Sequence, residues 1–82
     1  MTQSITINSP VDVTALGFGR NMRTYPRRIE FRGSTYDFID AGLRTIVQSE
    51  GKISQIFTMT DGMRDYRLRS DGSTWTLLSM TR

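Results

Sequence analysis

Eighty-two residues allow one small domain, and a chain of that size buries only about 60% of its unfolded surface. Lacking cysteine and histidine, it excludes disulfides, cysteine-based metal sites and any nucleophile activated by a histidine base. The net charge of +3 is local: Arg20, Arg23, Arg27, Arg28 and Arg32 crowd one stretch whose single acid is Glu30.

Residues 1–23 read as an N-terminal arm or an edge strand. Ile5 and Ile7 alternate with polar neighbours, as do Val11 and Val13, with Pro10 between the pairs. Pro10, Gly17 and Gly19 argue against a helix. The opening residues lack a basic region followed by an apolar run, so no secretory signal is expected. No segment approaches the roughly 20 apolar residues of a membrane span. A soluble, cytoplasmic chain with no membrane association is the expectation.

From about residue 24 a small β domain is expected, running to residue 82. Glycines at 33, 42, 51, 62 and 72 recur at the spacing of short strands joined by turns. Asp61-Gly62 and Asp71-Gly72 suit the centre of a two-residue hairpin turn, and Gly33-Ser34 suits one with glycine first. Closing the chain at these points pairs Phe31 with Tyr36, Ile29 with Phe38, Phe57 with Tyr66, Leu68 with Trp75 and Tyr66 with Leu77. Each turn thus gathers aromatic and aliphatic residues on one face, which Met59 and Ile53 extend. The predicted class is all-β: a small antiparallel meander or partly open barrel of 5–6 strands.

The middle of the chain supports two readings. A turn at Glu50-Gly51 sets Arg44 against Phe57 and Gln48 against Ile53, which mixes apolar and polar on each face. The alternative is an α+β fold with one helix near residues 35–48. Ile39, Leu43, Ile46 and Val47 have amphipathic-helix spacing, and Ser34 with Asp37 resembles a capping box. Gly42 would cost such a helix about 1 kcal/mol.

No catalytic constellation is present, and the chain is not expected to be an enzyme. Asp61 and Asp71 are explained as turn formers, and the carboxylates lack the alternation of a calcium loop. Gly17-Phe18-Gly19-Arg20 lacks the third glycine of a dinucleotide loop. No metal or cofactor is expected. Phe31, Tyr36, Phe38, Phe57, Tyr66 and Trp75 fall on the predicted core face, so they are explained by packing. Tyr25 and Phe18 stand outside that account, beside the arginines.

Arginine presents a planar fork suited to phosphate or carboxylate. A coding bias toward arginine would explain the residue type equally well. The chain is therefore expected to be a non-catalytic binding module, contacting nucleic acid or another polyanion through Arg20, Arg23, Arg27, Arg28, Arg32 and Tyr25. The alternative is a protein-interaction or assembly module. It would meet a protein partner or a second copy through Ile5, Ile7 and Phe18, a sheet edge, and the outward-facing Ile56, Leu78 and Met80.

Overall fold

The structure is a computed structural model that describes residues 3–81, apart from the side chain of Asn21. It holds seven strands: β1 (Ser4–Phe18), β2 (Thr24–Phe31), β3 (Ser34–Asp37), β4 (Leu43–Ser49), β5 (Lys52–Thr60), β6 (Asp65–Ser70) and β7 (Trp75–Thr81). A single 3-10 turn, Arg20–Met22, joins β1 to β2. All pairings are antiparallel, and the strand order is β3-β2-β1-β7-β6-β5-β4. This is the all-β meander that alternation and turn chemistry predict. The sheet is rolled but not closed: β3 and β4 follow one another in the chain yet form its two free edges.

Residues 4–18 form one long strand that is paired along its length rather than a detached arm. The first half of β1 pairs with β7 from Ser4 to Val11, and the second half pairs with β2 from Asp12 to Phe18. The strand passes from one neighbour to the other at its midpoint, so each half is paired on one side only. Pro10 lies in the half that has only β7 beside it, opposite Thr76. A missing N–H is tolerated where no second strand asks for it. Asn8 adopts φ +52 within the bulge that separates the Thr6 and Ser9 pairings, so the strand bends as it crosses.

Three predicted registers are displaced by two residues, and the cause is visible in the turns. Phe57 faces Leu68, and Leu68 faces Leu77. Asp61 is not a central turn residue. Its Oδ1 accepts from the amides of Met63 (2.9 Å) and Arg64 (2.8 Å), which places Gly62 first at the centre. Asp71 repeats this with Ser73 and Thr74. Both aspartates thus act through their side chains. At the third turn the centre is Arg32-Gly33, both at positive φ, so Ile29 faces Tyr36. A two-residue displacement keeps each side chain on its face, which is why the expected aromatic residues still pack on the core.

The fourth turn has the predicted register. Arg44 faces Phe57 and Gln48 faces Ile53 across Glu50-Gly51. The faces are mixed because β4 buries no side chain. The residues spaced for a helix, Ile39, Leu43, Ile46 and Val47, are all exposed. Gly42, at φ +62, packs so closely on Thr58 and Met59 that no helix interior could form there.

Val11, Ile29, Phe38, Phe57, Met59, Tyr66, Leu68 and Leu77 form the core. Tyr66 sits at its centre, with ring contacts to Tyr36 (5.4 Å) and Phe38 (5.2 Å). Met80, expected outside, packs on this core. A bulge opposite Arg67 and Leu68 makes Leu78 the extra residue and brings Met80 opposite Tyr66. Ile53, expected inside, is 61% exposed because β5 begins beyond the reach of β6.

Candidate anion-binding mouth

The roll brings the β1–β2 connection against the segment that enters β4. A Cβ on Gly19 would lie 3.7 Å from that of Ala41, so the two backbones run side by side. The gap is strapped by residues 38–42. Phe38 N–H donates to the Arg27 carbonyl at 2.9 Å, and Ile39 N–H donates to Thr60 at 3.0 Å. Beyond that strap the wall of the barrel stays open, and a cavity of about 460 Å³ enters it.

Arg20, Arg23 and Tyr25 line one side of this cavity, and Arg44, Ile46 and Phe57 line the other. A second hollow of about 490 Å³ continues from it, sharing Arg23, Thr24, Arg44 and Phe57 and ending on Leu16 and Trp75. No carboxylate lines either hollow. The Phe57 and Trp75 rings meet at 5.4 Å, tilted by 44°, and form the aromatic floor. Tyr25 lies over Gly17, where a Cβ would come within 2.7 Å of its Cε1, so Gly17 leaves room for that ring.

Arg44 donates from Nη1 to Gln55 Oε1 at 3.1 Å, a neutral partner that orients the guanidinium without cancelling its charge. Among the described residues ion pairing is confined to Arg28 and Asp37, at 2.6 Å. Three guanidinium groups therefore share a recess whose charge is uncompensated there. Among the described residues, no group of three acidic side chains could hold a metal ion.

The arginine-rich stretch does not act as one surface. Arg20, Arg23 and Tyr25 reach the mouth. Arg28 is engaged with Asp37, and the Arg32 guanidinium stacks 4.8 Å above the Phe31 ring at the far end of β2. Arg27 is exposed, next to Arg28 in the chain. The proposed protein contacts also divide. Ile7 packs on the core and Ile5 is a paired strand residue opposite Met80. Phe18 is 67% exposed at the end of β1. Ile56 and Leu78 are half-buried, with β6 between their strands.

Arg44 is the mouth-lining arginine that the charge pattern did not single out. Its signal was present: a register that puts an arginine opposite Phe57 marks the place where a sheet face leaves the core. Comparison with known proteins finds no matching family model, no similar curated protein and no similar solved structure.

Proposed function

We propose that this protein is a non-catalytic binding module that receives a polyanion, nucleic acid foremost, at the mouth of its rolled sheet. The observation that supports this is the meeting of Arg20, Arg23 and Arg44 in one recess free of carboxylates, beside aromatic rings. Guanidinium forks hold phosphate oxygens, and a neighbouring aromatic face gives a base somewhere to stack. Aromatic faces at the recess suit an unstacked base, which favours a single strand over a duplex.

The sole tryptophan, Trp75, lines the second hollow and supplies the readout. Single-stranded oligonucleotides are expected to quench its fluorescence at low salt, with affinity falling steeply as salt rises. Three phosphate contacts give a slope of about −2 in log affinity against log salt, and each arginine replaced by alanine removes about 0.7. Arg67→Ala and Arg69→Ala, on the outer face of β6, should leave the slope unchanged. Absence of binding at low salt, or equal losses from the outer-face controls, overturns the proposal.

A further inference from the structure

The two free edges of the sheet are unlike. The β3 edge is four residues long and carries the ion-paired Asp37, so it resists strand addition. The β4 edge is seven residues of unbroken pairing, without proline or bulge. Its far end projects: β6 begins to pair with β5 only at Gln55, so the tip from Val47 to Ser54 is a two-stranded ribbon. Ile46 (61%), Val47 (39%) and Ile53 (61%) are exposed along it. Such a ribbon is marginal in water alone.

We infer that the β4 edge is the interface between two copies of this chain, joined antiparallel about a twofold axis through Val47. Ser49 and Lys52 close the two-residue turn at Glu50-Gly51, so their pair is hydrogen-bonded to itself. The backbone groups of Arg44, Ile46 and Gln48 then point away from β5. None of them bonds to another segment among the described residues. Centring on Val47 sets Ile46 against the partner's Gln48 and Arg44 against the partner's Glu50. Free backbone groups thus face free backbone groups, and Arg44 of the strand and Glu50 of the turn that follows it, equidistant from Val47 and opposite in sign, meet their complements. Centring on Ile46 instead leaves Arg44 opposite glutamine and Glu50 unmatched. Charge therefore selects the register. Arg44 also lines the mouth, so a bound polyanion and the partner's Glu50 compete for it, and each weakens the other's hold.

Sedimentation equilibrium of the full chain tests this. The wild type is expected to dimerise, and Val47→Lys, which sets two ammonium groups together on the axis, should be a monomer. Arg44→Glu and Glu50→Arg each place like charges opposite one another and should weaken association about 10-fold or more. Mixing those two variants restores both opposite-charge pairs, so the mixture should form a heterodimer, which also shows that each variant is folded. A wild type that stays monomeric at ~1 mM chain overturns the proposal, since association would then be weaker than millimolar. So does a dimer that survives Val47→Lys, or a mixture that associates no better than its components.

Discussion

At the scale of single residues, Asp61 joins a turn to the centre of the core. Its Oδ2 accepts from the buried Tyr66 hydroxyl at 2.7 Å, while Oδ1 holds the turn amides. Burial opposes ionisation of Asp61. The Tyr66 hydroxyl, the amides of Arg64 and Met63 and the Arg64 charge outweigh it, and the carboxyl lies below its ordinary value. Asp71 is lowered by the amide and hydroxyl of Thr74 and the amide of Ser73. Because the folded carboxyls are the more acidic, the unfolded chain takes up protons first. Their stabilisation is complete above the ordinary pKa of about 3.9 and is lost as pH falls from there through the folded values. Tyr66 is raised, by burial first and then by Asp61. Its contribution is complete below about pH 10 and is lost as pH rises beyond it. Asp61→Asn is expected to cost about 1–3 kcal/mol at neutral pH and to flatten the acid limb in urea unfolding. Tyr66→Phe should remove the alkaline loss assigned to that hydroxyl. An acid limb left unchanged by Asp61→Asn would assign it to Asp71.

Two glycines meet different obstacles at the same scale. A Cβ at Gly42 would run into the Thr58 carbonyl oxygen and come within 2.7 Å of Met59 Sδ, at a backbone φ of +62. Backbone cannot give way, so Gly42→Ala should cost about 3 kcal/mol or more. At Gly17 the obstacle is the Tyr25 ring alone. Gly17→Ala should therefore cost less when Tyr25→Ala is already present, a coupling that denaturation midpoints of the double-mutant cycle would measure. Equal costs with and without Tyr25 would mean the ring does not depend on that glycine.

At the scale of elements, β1 changes what the N-terminal segment is for. Alternation marked Ile5, Ile7, Val11 and Val13 as strand residues, but a strand's neighbours are set by pairing over long sequence separation. Removing residues 1–18 would take Val11 from the core and leave β2 and β7 as raw edges. Such a truncated chain is expected not to fold, giving collapsed amide dispersion in NMR spectra rather than a smaller native domain. A dispersed spectrum would show that β1 is dispensable. The turns carry a related lesson. Asp-Gly marks a reversal correctly, but whether aspartate stands at its centre or before it depends on which amides its carboxylate finds. That choice moved two registers by two residues, and a third moved because Arg32-Gly33 rather than Gly33-Ser34 is the turn centre.

At the scale of the whole molecule, the arginine-lined recess comes from the roll of the sheet. Arg20 and Arg23 are separated in sequence from Arg44, Phe57 and Trp75, and they meet only because β4 curls back toward the β1–β2 connection. Of the five clustered arginines only Arg20 and Arg23 line that recess, while Arg28 and Arg32 are engaged with Asp37 and Phe31.

The sequence by itself determined what is local: that the chain is all-β, roughly where it reverses, and which side chains face inward apart from Met80 and Ile53, because alternation and turn chemistry act over a few residues. Tertiary structure alone decided that β1 bridges β7 and β2, that β4 buries no side chain and that three distant segments form one cationic mouth. Those outcomes depend on how far a seven-stranded sheet rolls before its edges meet. That is a property of the summed twist and bulges of every strand, which no short stretch of sequence encodes.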